Sequence, residues 1–99
     1  MEGIMPYELV YHPAVRSDDL PLINSDVRAR IRIAIETRLS TAPHEYGEPL
    51  RKTLRGYWKL RVGDYRVVYI FEESKVFILG IRHRKNVYEM MEKRITENR

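Results

Sequence analysis

The sequence contains no cysteine, so no disulfide can form and no zinc site can be built on thiolates. It also has no run of about 18 apolar residues, the minimum for a membrane-spanning helix. Residues 1–5, MEGIM, lack the basic region and the apolar stretch of a signal peptide. These absences predict a cytoplasmic protein that does not act at a membrane.

Motifs typical of several enzyme classes are also missing. There is no glycine-rich phosphate loop and no dinucleotide-binding fingerprint. The histidines His12, His44 and His83 do not have metal-ligand spacing. The second half has few paired carboxylates, which argues against a glycosidase or an aspartic dyad. We therefore expect neither a metal nor a small-molecule cofactor.

The 99 residues, 43% of them hydrophobic, suit a single folded domain over residues 1–99.

Charge is unevenly distributed along the chain. Residues 1–50 hold five arginines and eight carboxylates, a net −3, whereas residues 51–99 hold thirteen Lys or Arg and six carboxylates, a net +7. A basic half indicates a polyanionic or acidic partner, with chance surface charge as the alternative.

The residue pattern of the first half predicts a strand followed by a helix. Residues 7–11 alternate as a strand that His12-Pro13 ends. Residues 14–20 suit a short helical turn, which Pro21 interrupts. Asn24-Ser25-Asp26 predicts a helix start, and the helix covers residues 25–41. Its apolar stripe is expected to face the core and consists of Ile23, Val27, Ile31, Ile35 and Leu39.

The residue pattern of the second half predicts a β-meander, in which consecutive strands pair antiparallel. Residues 57–62 alternate as a half-buried strand, Gly63-Asp64 suits a tight hairpin turn, and residues 65–71 suit a central strand. A further strand covers 76–81, and a short helix follows. The order predicts an α+β fold. We expect a small antiparallel sheet of about four strands, with the first strand at an edge, a helix or helical hairpin on one face, and a C-terminal helix.

One face of the first meander strand is basic. It carries Lys59 and Arg61, and the hairpin turn brings Arg66 back beside Arg61. Like charges repel in an empty site but become favourable when a phosphate backbone arrives. Rings that could stack on bases lie nearby in Tyr57, Tyr65 and Tyr69. The alternative is that Lys59 and Arg61 are simply the solvated side of an ordinary strand.

A second basic cluster follows the last strand and comprises Arg82, His83, Arg84 and Lys85. His83 has the chemistry to move a proton near neutral pH, although a surface histidine is the alternative. Tyr88 could act as a general base where neighbouring cations favour its phenolate form. The alternative for Tyr88 is packing of its helix against the sheet.

Residues 54–69, LRGYWKLRVGDYRVVY, and residues 81–88, IRHRKNVY, resemble the corresponding segments of the RelE/ParE toxin superfamily. The Tyr11-His12-Pro13 segment and the Pro43, Gly47 and Leu50 loop also fit. The central pattern is specific for the superfamily but less specific for the activity within it.

The resemblance implies the toxin of a type II toxin–antitoxin module that cuts mRNA in the ribosomal A site without a metal. The RNA's own 2′-hydroxyl would be the nucleophile, and a cyclic phosphate would remain. It implies a cognate antitoxin and mRNA on the ribosome as partners. The residues implied in catalysis are Lys59, Arg66, Arg82, His83 and Tyr88, and Arg61 is implied as an RNA contact. The residue pattern itself adds Tyr57, as a stacking ring, and the cations Arg84 and Lys85 as further expected RNA contacts.

Two points within the superfamily stay open at the level of sequence. Some members carry a lysine where this chain has Tyr57, so Lys59, His83 and Tyr88 all remain candidates for proton transfer. A ParE-type toxin would share the fold and inhibit DNA gyrase instead of cutting RNA. A member that only binds an antitoxin is the third possibility, because acidic residues and phosphates are attracted by the same charge.

Overall fold

The computed structural model describes residues 6–97. A five-stranded sheet lies between two helical layers, in the strand order β1-β5-β4-β3-β2. The strands are β1 (Glu8–Tyr11), β2 (Glu48–Pro49), β3 (Trp58–Val62), β4 (Tyr65–Glu72) and β5 (Lys75–His83). The helices are α1 (Ser25–Ala34), α2 (Pro43–Tyr46) and α3 (Val87–Glu97). The predicted α+β class is confirmed.

The meander β3-β4-β5 forms the centre of the sheet, as predicted. Gly63 adopts a φ of 58° in the turn between β3 and β4, a conformation that glycine accepts without a side-chain clash. The register pairs Val62 with Tyr65 on either side of that turn. In β4, Val67, Val68 and Tyr69 are fully buried, which confirms that the strand is central.

The sheet differs from the prediction at its two edges. It is mixed rather than antiparallel, because β1 lies parallel to β5. A fifth strand, β2, pairs two residues with the start of β3. The chain crosses the sheet from β1 to the opposite edge, and such a crossover allows a parallel pair that a hairpin cannot form. The predicted edge position of the first strand is confirmed.

Helix α1 packs on one face of the sheet through its apolar stripe. Asn24 caps it, with its Oδ1 accepting from the Val27 amide at 3.0 Å. The helix continues beyond Ala34 as a π-helical turn, Ile35–Leu39, so it ends close to the predicted residue 41. Ile31, Ile35 and Leu39 are buried in the core beneath this face. We call this side of the sheet the α1 face.

The segment before α1 is helical, as predicted, but Pro21 does not end it. Residues Val15–Asp19 form a π-helical turn, and Leu20–Leu22 follow directly as a 3₁₀ turn. Pro21 lies in the first turn of that 3₁₀ segment, where an amide hydrogen is not needed.

Helix α3 covers part of the opposite face, which we call the α3 face. A smaller core lies there, built from Leu54, Val68, Leu79, Val87 and Met91. Gly80 lets the helix approach closely, because a Cβ at this position would collide with Met91 and lie 2.6 Å from Arg94 Nη1.

Within residues 6–97, no helix has the length and apolar character needed to cross a membrane.

Candidate RNA-binding site

Three arginines form a row across the α3 face, which we call the arginine row. Arg61 on β3 is paired with Arg66 on β4, and Arg66 is paired with Arg82 on β5. Neighbouring strands lie about 4.8 Å apart, so the row brings three positive side chains to one strip of the sheet. Arg61 is exposed, whereas Arg66 is 9% exposed. The row unites the two basic clusters that the sequence showed separately.

A β-bulge decides which residue of β5 joins the row. The register shifts between Val68, paired with Gly80, and Tyr69, paired with Ile78, so Leu79 is an extra residue. Leu79 and Gly80 consequently both face α3. Strict alternation from Ile78 would have put His83 on the α3 face, but the extra residue reverses the order and puts Arg82 there.

Lys59 and Tyr88 form a hydrogen-bonded pair beside the row. Lys59 lies two residues before Arg61 on the same face of β3, and its Nζ donates to the Tyr88 hydroxyl at 3.1 Å. The same Nζ lies 5.6 Å from the centre of the Tyr88 ring. Glu48 on β2 provides a more distant carboxylate, 3.7 Å from Nζ. The pair places a proton donor and a phenol within direct exchange distance.

Arg66 is held by the hairpin that precedes it. Its Nη1 donates to the carbonyl oxygens of Gly63 and Tyr65, at 3.0 Å and 2.9 Å. Within residues 6–97, the other guanidinium nitrogens of Arg66 make no hydrogen bond. Every fully buried side-chain nitrogen or oxygen in that range has a hydrogen-bond partner, so these unpaired nitrogens are not fully buried. The remaining donors of Arg66 therefore reach solvent and are available to a phosphate.

Arg82 is held by a residue that the sequence analysis did not single out. Its Nε donates to Asp19 Oδ1 at 2.7 Å, and Asp19 has no exposed surface. Arg94 of α3 contacts the same carboxylate at 2.8 Å. Asp19 stands 63 positions from Arg82 in the sequence, so no local pattern connects them.

His83 lies apart from the Lys59–Tyr88 pair, on the α1 face. Its ring packs edge-on against Tyr65, with 5.4 Å between ring centres. Its Nδ1 accepts from the Lys85 amide at 3.1 Å, which stabilises the loop after β5. The sequence predicts that His83 shares proton transfer with Lys59 and Tyr88, but the structure does not bring it to them.

The predicted base-stacking role of Tyr69 is wrong. Its side chain is fully buried in the core on the α1 face, and its hydroxyl donates to the Pro43 carbonyl oxygen at 2.7 Å. Burial also raises the pKa of Tyr69 well above its usual value. Tyr65 is on the α1 face with His83. Tyr57 is half-buried on the α3 face, packed against the smaller core.

Arg84 and Lys85 lie on the exposed loop between β5 and α3. The Arg84 amide donates to the Asp64 carbonyl oxygen at 2.8 Å, and its Nε lies 3.5 Å from the Asp64 carboxylate. These contacts join the loop to the β3–β4 turn, beside the end of the arginine row. Both cations therefore enlarge the basic surface at its margin.

Several known proteins are similar to this chain in sequence. Residues 9–88 match the family model described as the ParE toxin of the type II toxin–antitoxin system, parDE. Toxin RelE of Mycobacterium tuberculosis is 34% identical over 85 residues, which cover 81% of this chain and 88% of that protein. Toxin RelG of the same organism is 34% identical over 86 residues, which cover 85% and 98%.

Solved structures show the same fold. The toxin–antitoxin complex RelBE2 from M. tuberculosis contains a chain with a TM-score of 0.75 and 29% identity, covering 85% of this chain and 98% of that one. A mutant of E. coli toxin RelE in the free state has a TM-score of 0.69 and 24% identity, covering 92% and 99%.

Proposed function

This chain belongs to the RelE/ParE family of type II toxin–antitoxin toxins, and from that membership we propose that it is an endoribonuclease. Its substrate would be mRNA in the ribosomal A site, and the reaction would need no metal. The observation that carries the proposal is the arginine row next to the Lys59–Tyr88 pair on one face of the sheet. Cationic and proton-carrying groups meet there within one short stretch of surface.

The proposed reaction uses the RNA's own 2′-hydroxyl. That oxygen attacks the adjacent phosphorus, the bond from phosphorus to the 5′-oxygen breaks, and a 2′,3′-cyclic phosphate and a 5′-hydroxyl result. One proton leaves the 2′-oxygen and one is delivered to the departing 5′-oxygen. Lys59 and Tyr88 are the groups we assign to these transfers, because their side chains are hydrogen-bonded to each other.

In this proposal the arginines stabilise the transition state. Negative charge accumulates on the phosphate oxygens as the fifth bond to phosphorus forms. Arg66 and Arg82 are fixed by protein contacts before any substrate binds, so they need little reorganisation when that charge develops. Arg61, which is exposed, together with Arg84 and Lys85 would contact the RNA backbone on either side.

The test compares the parent protein with Tyr88→Phe and Arg66→Ala. We expect induction of the parent to arrest growth, and purified parent to cut mRNA on translating ribosomes at A-site codons. Tyr88→Phe removes one oxygen and should slow cleavage about a hundredfold or more. Tyr46→Phe is the matched control, because Tyr46 is 53% exposed on α2. The site assignment is wrong if both site variants arrest growth as fully as the parent.

A gyrase inhibitor is the second candidate, favoured by the match of residues 9–88 to a ParE family model. A gyrase supercoiling assay, run beside the mRNA cleavage assay on the same purified protein, separates the two functions. Inhibited gyrase supercoiling with intact mRNA would identify a ParE-type toxin, and cleaved mRNA with unaffected gyrase would identify a RelE-type toxin.

We also propose a cognate antitoxin as partner, since RelBE2 of M. tuberculosis is a toxin–antitoxin complex with a chain of this fold. The net +7 of residues 51–99 favours an antitoxin with acidic residues at the interface. Co-expression of a short neighbouring open reading frame should restore growth.

A further inference from the structure

Asp19 is the most completely enclosed charged residue among those described, and it lies next to the proposed site. It has 0% exposure at the end of the π-helical turn Val15–Asp19. Its two carboxylate oxygens accept four hydrogen bonds. The donors are the Ile81 amide at 2.9 Å, Arg82 Nε at 2.7 Å, Arg94 Nη1 at 2.8 Å and Arg94 Nη2 at 3.0 Å.

The position of Asp19 follows from the short first strand. Strand β1 is paired with β5 only as far as Ile78. The last backbone–backbone hydrogen bond along this edge is donated by the His12 amide to the Ile78 carbonyl oxygen. Farther along β5 the edge has no neighbouring strand, so the Ile81 amide would lack a partner. Asp19 supplies the missing acceptor, and the next residue along β5 is Arg82.

We propose that Asp19 is a positioning residue for the RNA-cleaving site, acting through Arg82. This inference rests on the proposed function. The carboxylate binds Arg82 through Nε, and the terminal nitrogens of Arg82 have no hydrogen-bond partner within residues 6–97. An arginine held in this way loses side-chain freedom before the substrate arrives, and its outer donors stay available for the phosphate.

The second arginine keeps this arrangement positive. One carboxylate between Arg82 and Arg94 leaves one net positive charge in the cluster. Asp19 can therefore fix Arg82 without cancelling the charge that a phosphate requires. Arg94 also donates to the Leu79 carbonyl oxygen, which attaches α3 to the bulge in β5.

A purely structural role for Asp19 makes a different prediction. If it served only to attach α3 through Arg94, its loss would lower stability and leave the rate of the folded enzyme unchanged. The matched comparison is therefore made in an Arg94→Met background, where that attachment is already absent. Asp19→Asn in this background also avoids leaving two buried arginines without an anion.

Steady-state cleavage kinetics are measured for Arg94→Met with and without Asp19→Asn, at a temperature where circular dichroism shows both proteins folded. We expect kcat to fall about tenfold to a hundredfold, with KM changed much less, because the phosphate-binding group is misplaced. With Arg82→Gln added to both proteins, Asp19→Asn should change kcat by less than about twofold, because the interaction is already gone. An unchanged kcat in the first pair overturns the proposal, as does an undiminished loss in the second.

A measurement on the unmodified protein decides the case where a variant fails to fold. The Arg82 Nε–H signal in a nitrogen-15 NMR spectrum, assigned by its loss in Arg82→Lys, should exchange slowly with water. The Nε–H of Arg84, whose side chain is 54% exposed, is the internal comparison. Equal exchange rates would overturn the proposal. A parent that leaves mRNA intact refutes the proposed function, whereas an active parent with a freely exchanging Arg82 refutes only the role of Asp19.

Discussion

Removal of the Tyr69 hydroxyl tests how helix α2 (Pro43–Tyr46) is attached to the core. Tyr69 has 0% exposure, and its hydroxyl donates to the Pro43 carbonyl oxygen at 2.7 Å. Tyr69→Phe keeps the ring and leaves that carbonyl without its donor. Because a buried unpaired acceptor costs about 1–3 kcal/mol, we expect the free energy of unfolding to fall by about 2 kcal/mol. For a domain of this size the midpoint of thermal unfolding should drop by roughly 8–16 °C.

The assay is thermal and urea unfolding followed by circular dichroism. Tyr46→Phe is the control, since it deletes the same atom from a side chain that is 53% exposed. If the two variants unfold within about 2 °C of each other, the buried hydrogen bond does not carry the stability assigned to it.

The pH dependence of stability provides a second readout for Tyr69. Burial raises its pKa in the folded protein above the usual 10.0. The unfolded chain then releases this proton at a lower pH than the folded chain does. The stabilisation is therefore complete below about pH 10 and is lost at up to roughly 1.4 kcal/mol per pH unit as pH rises toward the folded pKa.

Tyr69→Phe should flatten this alkaline loss. The pKa of Tyr11 is also raised, by burial and then by Glu36, with Arg32 opposing. Tyr11 is present in both proteins, so its contribution cancels in the comparison. Parallel stability curves above about pH 10 would contradict the reasoning.

Three further substitutions test separate parts of the fold. Gly47→Ala places a methyl group 2.8 Å from Tyr69 Cζ and should cost about 1–3 kcal/mol in urea unfolding; wild-type stability would refute the close approach. Leu60→Ala, at 2% exposure, should cost about 2–5 kcal/mol, whereas Leu22→Ala, at 66% exposure, should cost less than about 0.5 kcal/mol; similar losses would contradict the assigned core. Asn24→Ala removes the cap of α1 and should lower the unfolding free energy by about 1 kcal/mol, with Asn24→Asp restoring most of it.

Local patterns in the sequence were enough to predict most of the secondary structure. Alternation over residues 57–62 puts Lys59 and Arg61 on one face of a half-buried strand, and in the structure Leu60 is buried in the core on the other face. Gly63-Asp64 fixed the hairpin, and with it the neighbouring positions of Arg61 and Arg66. These features depend on residues within a few positions of each other, so the sequence determines them directly.

The composition of the site depended on contacts between distant segments. Lys59 and Tyr88 are 29 positions apart, and they meet only because α3 packs on the same face as the smaller core. Asp19 reaches Arg82 across 63 positions because β1 ends before the bulge and leaves an edge amide of β5 open. The spacing of residues in the sequence does not indicate contacts between segments that are so far apart.

The bulge at Leu79 shows where sequence reasoning reaches its limit. Gly80 within an apolar strand is a signal for a bulge, but it does not give the number of residues inserted or the side affected. One extra residue exchanges the faces of Arg82 and His83 and so changes which of them stands beside Arg66. The sequence by itself determined that this end of the sheet is basic. The tertiary structure decided which basic residues share a face, because side-chain direction in a strand reverses with every residue added.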